Sequence, residues 1–301
     1  MAHALLRRLL DEHTGVPGRA LLAWRTRGQA EALLAGRGLA EPGRALAARL
    51  GHRVVRGPFV GMLYPRRRGD IVHATKLLGA YEREVHVAME RLVARRPTRV
   101  VNVGSGDGYY TVGLARRLPD AEVWAVDPDP LAQRACRGTA ARNGVAAQLR
   151  YASRLDARAL EQVLLGSPRA SATHASAVDA PAHRAAPAGA THGPARRDLC
   201  LVDCEGYEDE LLDPAAAPAL AHADLLVETH DFARAGVTER LAARFAGTHD
   251  VERLEIAARD PLAFPELAAL PGEVARGLLD EFRHPPQSWI VLTARSHGTE
   301  P

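Results

Sequence analysis

From residue 98 onward, short apolar segments alternate with amphipathic ones, and this alternation limits the possible folds more than any other feature of the chain. A segment with helical periodicity follows each of the first three predicted strands. The first of these helices is predicted to begin at Tyr109, the second to run through Asn143 and the third to reach Leu165. Such alternation predicts an α/β fold with a doubly wound, mostly parallel sheet. The predicted strands are RVVNVG, AEVWAVD, a weak one near residues 148–152, DLCLVD (198–203), DLLVETH (224–230) and a closing pair, DVERLEI and SWIVLTA.

The first quarter of the chain has a different pattern. Residues 4–50 carry apolar side chains at helical spacing, which predicts two or three amphipathic helices that form a cap or an oligomerisation element. Residues 53–64 favour a short hairpin, and residues 76–95 favour a helix. We therefore expect a helical N-terminal extension over residues 1–75 and one domain over residues 76–301. Within that domain, residues 167–197 are rich in Ala, Pro, Ser and His and are predicted to be a flexible insertion.

Composition is that of a globular protein, with 47% hydrophobic and 25% charged residues. Lys76 is the only lysine among the 39 basic residues, and the net charge is only +3, so nucleic acid is an unlikely partner. The three cysteines match neither a disulfide framework nor a zinc module. Because the N-terminal segment lacks an export signal and no apolar run reaches about 18 residues, we expect a soluble, cytoplasmic protein without membrane contact.

A glycine-rich loop follows the first predicted strand in VVNVGSGDGYYTVGLARRL, where Gly104, Gly106 and Gly108 precede a helix. Glycines permit sharp turns and close approach of a ligand to the backbone. Asp127 ends the second strand, where an acidic side chain can accept hydrogen bonds from both hydroxyls of a ribose. The alternative is that Asp127 only caps the next helix. The G-x-G-x-G spacing, with Tyr109 after the last glycine, disfavours a dinucleotide-binding dehydrogenase.

Three segments together carry a family resemblance. VVNVGSGDGYY resembles the first motif of the seven-stranded, Rossmann-like class I methyltransferases that use S-adenosylmethionine, and residues 121–144 resemble their second motif. LCLVDCEGYEDELLD (199–213) resembles the D-x-E-G-x-E-x-x-x-L segment of FkbM-type methyltransferases, and a strand ending in VETHD follows it, as in that family. The resemblance covers about residues 76–295. It implies S-adenosylmethionine as cofactor and O-methylation of a hydroxyl on a natural product or sugar.

The resemblance also suggests which residues hold the cofactor. The glycine loop, its neighbours and the second strand end are expected to contact it, and the segment ahead of the first strand is expected to add contacts to the methionine part or the substrate. The candidate cofactor-binding residues are Gly104, Ser105, Gly106, Asp107, Gly108, Tyr109, Asp127, Pro128, Ser153, Asp203, Tyr81 and Glu82. The N-terminal third and the insertion depart from the family pattern and leave the acceptor open.

Polar side chains at the ends of the fourth and fifth predicted strands are candidates for the chemistry, because ligands of open α/β sheets bind at the carboxyl ends of strands. In one mechanism His230, or the carboxylate of Asp203 or Glu205, removes the proton of a hydroxyl. In the other, Asp203 with Glu228, His230 or Asp231 binds a divalent cation such as Mg²⁺, similar to catechol-type O-methyltransferases. Glu208 and Glu210 are predicted to be solvated helix positions.

Other functions remain open at this point. An N-methyltransferase acting on RNA or protein is one alternative, although VDCEGYE stands where many such enzymes carry an N/D-P-P-Y/F segment. An NAD-dependent oxidoreductase and a binding protein without catalysis are the others. The expected partners are a small-molecule acceptor and a second copy of the chain, bound through the N-terminal helices.

Overall fold

A seven-stranded sheet lies at the centre of the computed structural model, which describes residues 28–67, 69–166, 197–256, 258–283 and 287–295. The strand order is β3-β2-β1-β4-β5-β7-β6, so the order reverses beside β1. The first five strands are parallel, and β7 runs antiparallel to both of its neighbours. The strands are β1 (Arg99–Val103), β2 (Glu122–Val126), β3 (Leu149–Ala152), β4 (Asp198–Val202), β5 (Asp224–Thr229), β6 (His249–Leu254) and β7 (Ser288–Ala294). This confirms the predicted fold class.

Helices cover both faces of this sheet. In chain order they are α1 (Ala40–Arg49), α2 (His73–Leu78), α3 (His86–Ala94), α4 (Tyr109–Arg117), α5 (Pro130–Arg142), α6 (Ala157–Leu165), α7 (Glu208–Leu211), α8 (Val237–Phe245) and α9 (Gly272–Leu278). Short 3₁₀ turns lie at Arg83–Val85, Ala146–Gln148, Pro218–His222, Pro261–Ala263 and Pro265–Leu267. Residues 28–36 are also helical.

Alternate residues of each strand enter two separate apolar cores, because successive side chains of a strand point to opposite faces. Val100 packs in the core that contains Met89 of α3 and Val112 of α4. Val101 packs in the other core, with Leu160 of α6 and Phe245 of α8. The strands are buried on both faces, which explains why the sequence shows continuous apolar runs here rather than an alternating pattern.

Local signals fix where the helices begin and end. Asp129 precedes α5, and its side chain accepts a hydrogen bond from the backbone N–H of Leu131 at 2.8 Å. Asp156 caps α6 in the same way through Ala159, and Gly166 ends that helix in the left-handed conformation. Capping of this kind satisfies backbone groups that the helix itself leaves unpaired.

Two local predictions for the N-terminal part need correction. The hairpin predicted over residues 53–64 is present only in reduced form: Arg53 and Leu63 make an isolated antiparallel bridge, and Val54 N–H donates to the carbonyl of Met62 at 2.9 Å, but no regular strands form. The single helix expected over residues 76–95 is interrupted: α2 ends at Leu78, Glu82 has a φ of 48°, and α3 begins at His86. This break places Tyr81 and Glu82 in a turn rather than on a helix surface.

Residues ahead of position 76 share their packing with the sheet domain. Phe59 and Tyr64 belong to the same apolar core as Val100 of β1, and Leu46 of α1 packs with Leu278 of α9. The boundary at residues 75/76 and the oligomeric role of the first helices stay predictions. The helices expected within residues 1–27 lie outside the described residues, as do residues 167–196 of the insertion predicted over residues 167–197.

The described part of the chain contains neither a disulfide bond nor a helix that could span a membrane. Cys136, Cys200 and Cys204 are all free, as the sequence indicated. No helix among the described residues combines the length and the apolarity that crossing a bilayer requires.

Candidate active site

The glycine loop lies at the point where the strand order reverses, between the ends of β2 and β4. The backbone N–H groups of Gly104 and Ser105 donate to the carbonyl of Val126, at 2.8 and 3.0 Å. Gly104 has a φ of 84°, and a Cβ there would lie 1.6 Å from the carbonyl oxygen of Asp203. Only glycine therefore allows the ends of β1 and β4 to approach each other this closely.

Gly106 occupies the open side of this loop. Its φ is 53°, and no described atom lies within 4 Å of the position that a Cβ would take. The Ser105 side chain next to it is 5% exposed, and its Oγ has no hydrogen-bond partner among the described residues. An open glycine beside an unsatisfied buried hydroxyl is the arrangement expected where a ligand approaches the backbone.

Asp127 faces the glycine loop from the end of β2. Its carboxylate accepts hydrogen bonds from the N–H groups of Gly106 and Asp129, both at 2.8 Å. The predicted alternative was that Asp127 caps α5, but Asp129 makes that cap. Asp127 therefore lies at the end of β2 beside the glycine loop, which is the position predicted for a carboxylate that binds the ribose.

The other proposed cofactor residues differ in exposure. Pro128 and Ser153 are exposed at the ends of β2 and β3. Tyr109 is 4% exposed, and its ring packs edge-to-face against Tyr64, Tyr81 and Phe59, so it belongs to the apolar core.

Asp107 points from the loop towards a buried ammonium group. Its Oδ1 lies 3.6 Å from Nζ of Lys76, which also lies 3.7 Å from Asp70 and donates to the hydroxyl of Tyr64 at 2.9 Å. The rings of Tyr64 and Tyr81 approach the same ammonium within 5.2 Å. Burial alone would lower the pKa of Lys76, but Asp107 and Asp70 raise it, so the lysine is held charged.

Asp203, Glu228 and His230 meet at the ends of β4 and β5, and we call these three residues the strand-end cluster. Nε2 of His230 lies 3.6 Å from Oδ1 of Asp203 and 3.8 Å from Oε2 of Glu228. One ligand atom from each residue lies within 4.8 Å of the other two, so the three could hold a metal ion. The structure thus brings together the residues predicted for catalysis and for metal binding.

Glu205 and Asp231, the neighbouring candidates, lie at the margin of this cluster. Glu205 has a φ of 58°, and its exposed carboxylate lies 4.0 Å from Nε2 of His230. Asp231 is exposed and accepts a hydrogen bond from Thr238.

The prediction that Glu208 is solvated is wrong. Its carboxylate is fully buried and lies 2.7 Å from Nδ1 of His230, which is itself fully buried. The left-handed turn at Glu205 and Gly206 brings the first residue of α7 back under the sheet edge, and the N–H of Gly206 donates to the same carboxylate at 3.0 Å. Glu210, by contrast, is exposed as predicted.

The ionisation of the cluster reflects its excess of carboxyl groups. Burial and the charge of Glu205 raise the pKa of Asp203 to about 6, and burial together with Asp203 raises the pKa of Glu228 well above its usual range. Burial alone would lower the pKa of His230, but the hydrogen bond to Glu208 and the charge of Asp203 raise it on balance.

Arg283, which the sequence did not single out, joins the cluster to the turn ahead of β1. Its guanidinium donates to the carboxylates of Glu82 and Glu228, and also to Glu281 at 3.0 Å. Glu82 is fully buried, and its carboxylate accepts a hydrogen bond from Tyr110. Glu82 therefore borders the strand-end cluster, and the hydroxyl of Tyr81 lies 3.5 Å from the same guanidinium. The predicted contacts of Tyr81 and Glu82 with the cofactor or the substrate stay a prediction.

Of the two site residues that the sequence did not predict, Glu208 has a local sequence signal and Arg283 has none. Glu208 lies three residues after Glu205 in D-x-E-G-x-E, and a glycine turn directly after a strand end can return such a side chain to the sheet edge. Arg283 precedes β7, whose position beside β5 follows from the sheet order and not from any local motif. No local signal marks that arginine.

No protein-family model matches the chain. A ribosomal protein L11 methyltransferase from Symbiobacterium thermophilum is 46% identical over 56 residues, which is 19% of this chain and 18% of that protein. The matched segment thus spans about a fifth of either protein.

Solved structures with a similar arrangement were also found. An O-methyltransferase, TomG, from Streptomyces achromogenes, involved in tomaymycin synthesis and solved in complex with SAM, aligns over 75% of this chain and 88% of its own, with 16% identity and a TM-score of 0.40. An O-methyltransferase from Bacillus cereus in complex with SAH aligns over 69% and 79%, with 12% identity and a TM-score of 0.42. Similarity at this level supports no conclusion about the acceptor.

Proposed function

We propose that this chain is an S-adenosylmethionine-dependent methyltransferase that methylates a hydroxyl oxygen of a small molecule. The observation that supports this most is the juxtaposition at one sheet edge of an open glycine loop, faced by Asp127, and the strand-end cluster. The first half suits an adenosine-containing donor, and the second half suits an acceptor that must lose a proton.

The donor is expected to lie across the glycine loop. Asp127 would accept hydrogen bonds from the ribose hydroxyls, and the space above Gly106 would admit the chain that leads to the sulfonium. Asp203 lies beside the loop, because its N–H donates to the carbonyl of Val103, the last residue of β1, at 2.9 Å. A donor bound in this way has its methyl group near the strand-end cluster.

Methyl transfer is an in-line displacement. A lone pair on the acceptor oxygen forms the new O–CH₃ bond while the C–S bond breaks, and the sulfur keeps that bonding pair and leaves as the neutral thioether of S-adenosylhomocysteine. The hydroxyl proton leaves through the strand-end cluster. Since the donor is already activated by its charge, the protein needs mainly to align the oxygen and remove that proton.

The finer assignment is to the FkbM type, as the D-x-E-G-x-E segment and the VETHD strand end suggest. The acceptor class that this type implies is a natural product or sugar, and the cytoplasm is the expected compartment. The local match to a ribosomal protein L11 methyltransferase supports methyl transfer in general, but its short length gives no support to a protein acceptor.

Calorimetry with S-adenosylhomocysteine and with NADH tests this proposal without an acceptor. We expect the homocysteine product to bind and NADH not to bind. Asp127→Asn should weaken product binding at least about 10-fold, since one missing charged hydrogen-bond acceptor is worth roughly 1.5–3 kcal/mol.

Asp129→Asn is the matched control, because asparagine caps helices as well as aspartate does and the loop geometry is kept. This variant should bind S-adenosylhomocysteine like the unmodified protein. Binding of NADH alone would contradict the proposal, as would equal product affinities of the Asp127 and Asp129 variants.

A further inference from the structure

We infer that the strand-end cluster is a site for a divalent transition-metal ion, with Asp203, Glu228 and His230 as ligands and Glu208 as the residue that orients His230. The inference deepens the proposed function and depends on it for the role of the ion. The predicted binding of the ion does not depend on the proposed function, because binding can be measured with the metal alone.

The spacing of the ligand atoms supports an ion between them. Nε2 of His230 lies 3.6 and 3.8 Å from the nearest oxygens of Asp203 and Glu228, which is too far for hydrogen bonds. Metal–ligand bonds of roughly 2.0–2.2 Å set neighbouring ligand atoms roughly 3 to 3.6 Å apart at right to tetrahedral angles. The cluster therefore needs only small side-chain movements to coordinate one ion.

Unsatisfied polar atoms point into the same space. His230 is fully buried, yet its Nε2 has no hydrogen-bond partner among the described residues. Oδ1 of Asp203 is likewise buried and unpartnered within that part of the chain. Buried polar atoms are rarely left unpaired, and each such atom costs about 1–3 kcal/mol. A cation bound between them would satisfy both atoms at once.

Glu208 determines which imidazole nitrogen is available. Because its carboxylate lies 2.7 Å from Nδ1, the Nδ1–H form of the ring is favoured, which leaves a lone pair on Nε2. A carboxylate that accepts the far N–H of a metal-binding histidine fixes the tautomer and the ring orientation in many metal sites.

The imidazole ligand favours a transition metal over magnesium. Mg²⁺ prefers six oxygen ligands, whereas a mixed set of imidazole nitrogen, which suits Fe²⁺ and Zn²⁺, and carboxylates, which suit Mn²⁺, fits a transition-metal ion. We therefore propose a transition-metal ion at the site for which the sequence suggested a divalent cation such as Mg²⁺. Three protein ligands leave coordination positions for the acceptor hydroxyl, whose pKa the ion lowers. His230 then serves as a ligand, and its Nε2 is not the general base.

Binding of Mn²⁺ to the unmodified full-length protein tests the inference directly. Calorimetry should show one strong Mn²⁺ site per chain and at least about 10-fold weaker binding of Mg²⁺. Pulsed electron paramagnetic resonance of the Mn²⁺ complex should show coupling to the nitrogen of a coordinated imidazole. That spectrum requires no variant, so it stays decisive if a buried substitution prevents folding.

Variants locate the site. Asp203→Asn and His230→Gln should each weaken Mn²⁺ binding at least about 100-fold, and Glu208→Gln should weaken it about 10- to 100-fold. Glu210→Gln is the matched control, since Glu210 lies two residues further on and pairs with Arg234 at the surface. The triple variant His174→Ala, His183→Ala and His192→Ala controls for metal binding by the histidines of the insertion. Both controls should bind Mn²⁺ normally.

Several results would overturn the inference: no strong Mn²⁺ binding, no nitrogen coupling, equal affinity for Mg²⁺, or loss of binding in the triple histidine variant. Calorimetry with S-adenosylhomocysteine on the same samples separates the two proposals. Product binding without metal binding removes only the ion, whereas failure to bind the product removes the proposed function whether or not Mn²⁺ binds.

Discussion

At the scale of single residues, Lys76 lies in an environment of buried carboxylates and aromatic rings. Its ammonium is buried between Asp70 and Asp107 and against tyrosine rings. All the other residues among the 39 lysines and arginines of the chain are arginines. The compact ammonium fits a space enclosed by rings that the larger, planar guanidinium would not fill in the same way.

Replacing Lys76 by methionine should therefore be strongly destabilising, because two buried carboxylates lose their main counter-charge. We expect Lys76→Met to lower the free energy of unfolding in urea by about 3–5 kcal/mol. Arg91→Met removes an arginine from an exposed ion pair with Glu252 and should cost less than about 1 kcal/mol. Equal losses for the two variants would contradict this account of the lysine.

Asp70 should make stability depend on pH. Burial raises its pKa from 3.8 to about 6, and its Oδ2 has no hydrogen-bond partner among the described residues. Because the folded state favours the protonated form, the stability that Asp70 contributes is present below about pH 4 and is lost as pH rises through about 6. Asp70→Asn should therefore gain about 2 kcal/mol relative to the unmodified protein between pH 4.5 and 7.5.

Chemical denaturation at both pH values measures that difference. Asp250→Asn, which changes an exposed carboxylate paired with Arg295, serves as the control and should run parallel to the unmodified protein. A parallel profile for Asp70→Asn as well would show that Asp70 is ionised in the folded state at low pH.

At the scale of secondary-structure elements, a substitution in the loop between β1 and α4 should affect ligand binding as well as stability. Gly106 and Gly51 both have left-handed backbones, with φ of 53° and 59°, and each has open space around the position of a Cβ. Alanine should cost about 1–2 kcal/mol at either position. Only Gly106→Ala should weaken S-adenosylhomocysteine binding, by at least about 10-fold in calorimetry. Equal binding by both variants would place the donor elsewhere.

Most elements could be predicted from sequence because their signals are local. Apolar strands buried on both faces, the cap at Asp129 and the glycine loop are all visible within a few residues of the chain. The placement of β7 between β5 and β6 could not be predicted, because it depends on how distant segments pair. Arg283 was missed for the same reason, because its partner Glu82 is remote in sequence. Glu208 was missed although the glycine turn before it is local, because its burial depends on contact with His230 at the end of β5.

At the scale of the whole molecule, the described residues ahead of position 76 do not form a separate apolar core. Phe59 is 2% exposed and packs against α4, where a Cβ on Gly113 would lie 2.4 Å from its ring. Phe59 also shares its core with β1. Residues 53–64 should therefore unfold together with the sheet.

Phe59→Ala tests this coupling. We expect a loss of about 3–5 kcal/mol and one cooperative thermal transition, followed by near-ultraviolet and far-ultraviolet circular dichroism together. Leu262→Ala, at a side chain that is 90% exposed, should change the midpoint little. An early, separate transition in the Phe59 variant would instead indicate an independent N-terminal unit.

A crystal structure of the complex with S-adenosylhomocysteine tests the central claim most directly. The account predicts ribose hydroxyls within hydrogen-bond distance of Asp127, the ligand backbone over Gly106 and the sulfur directed towards His230. A complex with the ligand bound away from the glycine loop, or with Asp127 making no contact to the ribose, would contradict it.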